Sequence, residues 1–117
     1  MNYYHDEEYN CPVSATLDLI GGRYKTLILW HLTDATLRFG ELQKLVPQAS
    51  SRMLTKQLRE LEDVGLVIRT IYPVVPPKVE YNLSDLGRSI NPILDTMFKW
   101  GAGYLKNSGQ AANCSMR

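Results

Sequence analysis

The residues best suited to chemistry lie between Ser50 and Val64, in the run SSRMLTKQLRELEDV. Read as a helix, this run sets Leu54, Leu58 and Leu61 on one side and Arg52, Thr55, Lys56 and Arg59 on the opposite side. Guanidinium, ammonium and hydroxyl groups carried on a helix with an apolar back can meet guanine edges or phosphates in a DNA major groove. Taken alone, the same polar face could simply be solvated, so the flanking segments have to decide. Ser50 or Ser51 can cap the first turn, and Gly65 stands where a left-handed residue commonly ends a helix.

The thiols and imidazoles offer less. Cys11 and Cys114 sit near opposite ends without CxxC spacing, so they suggest neither a zinc site nor a thioredoxin-type motif, and no metal or other cofactor is expected. A disulfide between them is at odds with a reducing cytosol. A thiol enzyme built on Cys11 would need a base, but His5 falls in the leading arm and His31 in an apolar helix, where a core-edge role suits it.

The segments that must position the cationic face run in a recognisable order. Residues 1–10, MNYYHDEEYN, have no regular period and read as a flexible arm. Pro12 suits the first position of a helix extending to Ile20, with Leu17 and Ile20 on its apolar side, and Gly21-Gly22 breaks it. RYKTLILWHL, from Arg23 to Leu32, is dense in apolar residues and reads as the central core helix. Thr36–Phe39 is expected to form a short strand. Phe39–Val46 then reads as a small helix with Leu42 and Leu45 inward, and Pro47-Gln48-Ala49 as a turn. Short helix, turn and longer amphipathic helix make a helix-turn-helix.

After Gly65 the period changes. Leu66–Tyr72 and Lys78–Leu83 read as paired strands around a proline-stiffened tip, Pro73–Pro77. A PVVPP run could also serve as a ligand for an SH3-like domain, but its place between two strands favours a rigid loop. A hairpin directly after a helix-turn-helix is the winged-helix order, with Arg69 or Lys78 available to phosphates. Ser84 and Asp85 open a last helix carrying Leu86, Ile90, Ile93, Met97, Trp100 and Tyr104 on one stripe, widened by Leu94, Phe98 and Leu105. Pro92 is expected to bend it. A small winged domain has little interior for so many large side chains, which points to a seam between two subunits.

The fold class expected is therefore α+β and mainly helical, a winged helix-turn-helix over residues 11–107 with a flexible tail at 108–117. With 117 residues, 44% hydrophobic and 21% charged, the chain has room for one ordinary domain. The net charge of +1 understates the body: residues 1–10 hold Asp6, Glu7 and Glu8 and no Lys or Arg, leaving thirteen basic against nine acidic residues elsewhere. That balance permits nucleic-acid binding without requiring it. No apolar run is long enough for a membrane span, so a cytoplasmic protein is expected.

Several of these runs together, CPVSATLDLIGGRYKTLILWHL, RFGELQKLVP, SSRMLTKQLRELEDVGLV and YPVVPPKVEYNLSDLGRSI, resemble the HxlR-type regulators, winged-helix relatives of the MarR group. The likeness covers roughly residues 11–105. It implies a bacterial transcription factor that binds double-stranded operator DNA as a homodimer, with the N- and C-terminal helices at the dimer interface. Position by position, it places Ser51, Arg52, Thr55, Lys56 and Arg59 at the DNA face and adds Lys78 from the wing; taken with the apolar sides of the terminal helices described above, its interface marks Leu17, Ile90, Leu94, Met97, Phe98, Trp100 and Tyr104 as the expected subunit seam. Tyr24 departs from the pattern, since many members carry tryptophan there; only a packing difference is expected. Some members sense oxidants or electrophiles through a cysteine in the matching CP motif, which makes Cys11 the candidate redox-sensing residue, with Cys114 a weaker candidate partner. A thiol at a helix N-terminus faces unpaired N–H groups that favour thiolate. The resemblance names neither a small-molecule effector nor the operator. The competing reading is a winged-helix module that binds protein through its apolar last helix.

Overall fold

The computed structural model describes residues 11–109, which form six helices and one two-stranded sheet. Pro12 opens α1 (Pro12–Ile20), where its missing N–H has no intrahelical partner to lose. The chain then turns through Gly21 and Gly22, and Gly22 holds φ at 90°, a backbone angle that side chains oppose. Helix α2 (Arg23–His31) follows and contributes Ile28, Leu29 and Trp30 to the buried core.

Residues 36–39 do not form the expected strand. Leu37 alone pairs with Tyr81, exchanging both backbone hydrogen bonds at 2.9 and 2.8 Å. The extended stretch is cut short because the Arg38 N–H donates to the Glu41 carboxylate at 2.7 Å, and α3 (Phe39–Leu45) starts there. Within α3, Leu42 is buried as expected but Leu45 is exposed; Val46, just beyond the helix, takes the inner place.

Helix α4 (Ser51–Asp63) sends Leu54, Leu58 and Leu61 into the core against α2. Gly65, at φ 84°, turns the chain from it into β1 (Val67–Tyr72). Strand β1 pairs antiparallel with β2 (Lys78–Leu83) in a register that sets Val67 opposite Leu83, Arg69 opposite Tyr81 and Ile71 opposite Val79. The core end of the hairpin, Val67 and Leu83, is buried, while residues 73–77 at the far end are all exposed.

The last helix is two helices, not one bent one. Ser84 caps α5 (Asp85–Arg88) by accepting the Gly87 N–H at 3.0 Å, and α6 (Asn91–Asn107) begins anew with Pro92 in its first turn. Proline cannot donate the bond that would join the two, so Pro92 starts a helix here instead of kinking one. Gly87 also needs to be small, because a Cβ there would overlap the Leu66 carbonyl. The restart changes which side chains face inward. Ile90 and Leu94, expected at a subunit seam, are buried in the core of their own subunit, and Phe98 is half-buried and stacks on Trp30 with ring centroids 5.2 Å apart. Leu86, Ile93, Met97, Trp100 and Tyr104 stay exposed.

Candidate nucleic-acid interface

The polar face of α4 is held in place from behind and from its N-terminal turn. Ser50 is the cap: its hydroxyl oxygen accepts the Met53 N–H at 3.1 Å. Ser51 does something different, donating to Gln43 Oε1 at 2.9 Å, while the other end of that amide donates to the Ala49 carbonyl at 2.7 Å. Gln43 thus ties α3, the turn and the start of α4 together. Tyr24, beyond a packing role, reaches the same turn from α2, its hydroxyl donating to the Gln48 carbonyl at 3.3 Å. Neither contact was legible in the helical period, because both side chains act on turn carbonyls and not on the core.

One further anchor went unnoticed in the sequence. Lys25, one turn into α2, is only 6% exposed and lies 2.7 Å from Glu60 on α4. A buried ammonium is tolerable only with its charge matched, so this pair fixes α4 against α2. A lone lysine in an apolar run was the available signal.

Arg52, Thr55, Lys56 and Arg59 are all exposed on the far side of α4. Among the described residues, Arg52, Lys56 and Arg59 enter no ion pair, so three cations stand on one face with their donors open to an external anion. The Thr55 hydroxyl donates to the Ser51 carbonyl at 2.8 Å, and the Ser51 hydroxyl donates to Gln43 Oε1. Both residues are exposed, and with their protons committed to these bonds their hydroxyl oxygens can act toward a ligand as acceptors. Arg38 and Lys44 are exposed at the two ends of α3, the helix before α4, and were not among the cations singled out in the sequence.

The wing cations are placed differently. Arg69 Nε lies 3.3 Å from Glu62, and Lys78 lies 3.5 Å from Glu80 and 4.7 Å from the centre of the Tyr72 ring. Each is answered within its own subunit. Tyr81 sits where wing and helix meet: burial raises its phenol above the ordinary value, while the positive charges of Arg69 and Arg59 pull the other way.

Val13 and Leu17 of α1 and Met97, Trp100 and Tyr104 of α6 are exposed, Trp100 at 71%. Trp100 and Tyr104 stack, ring centroids 5.6 Å apart. An open apolar recess of about 150 Å³ continues this surface between α2 and α6, lined by Thr26, Leu27, Trp30, Leu94, Met97 and Phe98. Cys11 is exposed at the head of α1. His5 and Cys114 lie outside the described residues, as do all of the leading arm and most of the tail. His31 is half-buried at the core edge, and burial lowers its pKa from the ordinary 6.5. No helix among the described residues is long and apolar enough to cross a membrane.

Comparison with known proteins agrees with this geometry. The family model for the HxlR-like helix-turn-helix matches residues 19–109. The uncharacterised HTH-type transcriptional regulator YdeP of Bacillus subtilis is 48% identical over 104 residues, covering 89% of this chain and 81% of that protein. The solved structure of the HTH-type regulator YtcD, also from Bacillus subtilis, superposes with a TM-score of 0.78 at 50% identity, over 82% of this chain and 98% of that one. The redox regulator HypR in its oxidised form superposes with a TM-score of 0.75 at 49% identity, over 78% of this chain and 94% of that one. With its helix-turn-helix, its two-stranded wing and these relatives, the chain belongs to the HxlR-like helix-turn-helix family of transcriptional regulators.

Proposed function

We propose that this regulator binds operator DNA as a two-fold dimer, laying α4 in the major groove with Arg52, Lys56 and Arg59 on bases and phosphates and Ser51 and Thr55 as acceptors. The observation that carries the reading is the set of open cations on a helix whose other side is locked into the core. Arg38 and Lys44 then meet the phosphate backbone, as the first helix of such a motif commonly does. The second copy joins through Leu17, Met97, Trp100 and Tyr104, a surface with large aromatics exposed on one helix. Ile90 and Leu94 support that surface from inside their own subunit. The protein is a cytoplasmic DNA-binding factor in this reading, not an enzyme.

A second reading adds to the first: Cys11 answers oxidants. It is favoured by the exposed position of the thiol at the head of α1, next to Val13 and Leu17, and by the likeness to HypR, solved in oxidised and reduced forms. One experiment tests both. Selection of bound DNA from random sequences, with and without a thiol oxidant, should return a two-fold symmetric motif with half-sites about 34–36 Å apart or a multiple of that. Oxidant should change the yield for the native chain and not for Cys11→Ser. An asymmetric motif would remove the dimer from the reading, and an equal response in Cys11→Ser would remove the cysteine.

A further inference from the structure

The Gln43 side chain sits between two neighbours of opposite kind, and that fixes which way the protons around it point. Its Nε2 donates to the Ala49 carbonyl at 2.7 Å, and its Oε1 accepts the Ser51 hydroxyl at 2.9 Å. A backbone carbonyl can only accept, so turning the amide over would set oxygen against oxygen at Ala49. The amide oxygen therefore faces Ser51. Because that oxygen can only accept in its turn, the serine proton is committed to it and is not available to a ligand. The turn that starts this chain of bonds is itself braced: Tyr24 donates to the Gln48 carbonyl at 3.3 Å, and the Ala49 N–H donates to the Val46 carbonyl at 3.2 Å.

We propose that Gln43 is a positioning residue for base recognition: by taking the Ser51 proton it turns Ser51 into an acceptor-only reader that selects adenine or cytosine on the strand it touches. This rests on the DNA-binding reading above and names the specificity conferred at one of its positions. Ser51 is exposed and is the first residue of α4, and the N-terminal residues of a recognition helix are the ones that reach base edges. A serine hydroxyl that rotates freely pairs with donors or acceptors alike and so discriminates little. Ser51, with its proton committed, offers lone pairs alone. In the major groove these match the adenine N6 and cytosine N4 amines and are opposed by guanine O6 and N7 and by thymine O4, which are acceptors themselves.

The neighbouring hydroxyl shows why the link from α3 matters. Thr55 donates to the Ser51 carbonyl within its own helix, a local bond that threonine can form on many helices. The bond from Ser51 to Gln43 instead crosses from α4 to α3, and its direction is set by a third element, the turn that carries the Ala49 carbonyl. Gln43 thus acts on a base only through Ser51.

The test uses the full chain and a duplex taken from selection on random sequences, with each base pair then replaced in turn and affinity read by fluorescence anisotropy. The ratio of affinities for two duplexes on one protein cancels any loss common to both. At one base pair of each half-site the native chain should prefer adenine or cytosine roughly three- to tenfold over guanine or thymine. Ser51→Ala, an exposed change at the head of α4, should flatten that preference and no other. Gln43→Met, which frees the serine proton, should flatten it at the same base pair. Gln43→Glu keeps an acceptor for that proton but has no donor for the Ala49 carbonyl, and should retain the preference even if its thermal midpoint falls. A native profile at every position in Ser51→Ala, while Arg52→Ala binds weakly, would overturn the proposal and leave the DNA reading intact. Equal flattening in Gln43→Met and Gln43→Glu, the result of a merely structural bond to Ala49, would also overturn it, as would a preference for guanine or thymine at the position that Ser51→Ala flattens. Absence of any DNA binding by the native chain would remove both.

Discussion

Two sets of cations sit on neighbouring elements, α4 and the hairpin that follows it, and differ in what answers them. Arg52, Lys56 and Arg59 on α4 enter no ion pair among the described residues, whereas Arg69 and Lys78 on the wing each lie within 3.5 Å of a carboxylate of their own subunit. An open cation on a rigid helix keeps its full attraction for a phosphate or a guanine edge. A cation already paired must exchange one partner for another, and the net gain is small. Basic residues near a helix-turn-helix are therefore not equivalent: in the proposed reading the open cations of the helix contribute more to DNA affinity than the paired cations of the wing.

The largest expected effect comes from removing the open set. Arg52→Ala with Arg59→Ala should weaken operator binding by about 2–6 kcal/mol in total, with relaxed sequence preference, whereas Arg69→Ala with Lys78→Ala should lose less than about 1 kcal/mol. Anisotropy titrations of both pairs on one duplex decide it; equal losses would erase the distinction. Next comes the buried cation, which belongs to neither set. Lys25→Met leaves Glu60 without its lysine and should lower folding stability by about 3 kcal/mol in urea denaturation. Adding Glu60→Gln should recover much of that. A Lys25→Met protein as stable as the native one would show that the pair does not anchor α4.

A smaller change should convert one set into the other. Glu62→Gln and Glu80→Gln release Arg69 and Lys78, and each should tighten DNA binding by roughly 0.5 kcal/mol while steepening its salt dependence. Unaltered salt slopes would mean that the wing cations do not approach the backbone even when freed.

The smallest effect concerns His31, a side chain kept neutral by burial. Its folded pKa lies below 6.5, so the unfolded chain takes up a proton first as pH falls. Stability should thus decline as pH drops through 6.5 toward the folded pKa. His31→Gln should flatten that decline in urea midpoints measured across the same range. A decline of equal slope in the variant would place its origin in other groups.

Much of the fold could be read from periodicity because a helix or hairpin with one apolar side has few ways to hide it. The spacing of Leu54, Leu58 and Leu61, the serine cap before them and the positive-φ Gly65 after them delimit α4 within one residue at each end. The strands, the wing order and the breaks at Gly21-Gly22 follow from similarly local chemistry. What the period could not resolve were places where one residue's role depends on a distant neighbour. Pro92 in a continuous apolar stripe predicts a kink, and only the docking of Gly87 against the Leu66 backbone shows the chain closing one short helix before starting another. That restart put Ile90 and Leu94 inward and left Met97, Trp100 and Tyr104 outside, a division a continuous stripe does not contain.

The sequence by itself determined which residues are cationic, which faces are apolar and in what order helix, turn, helix and hairpin follow one another, since those depend on side-chain type and a short-range period. Tertiary structure alone decided which cations are open. Whether a guanidinium is free depends on a carboxylate placed near it by folding, as with Arg69 and Glu62 or Lys25 and Glu60, and charge pairing across elements leaves no periodic trace in the chain.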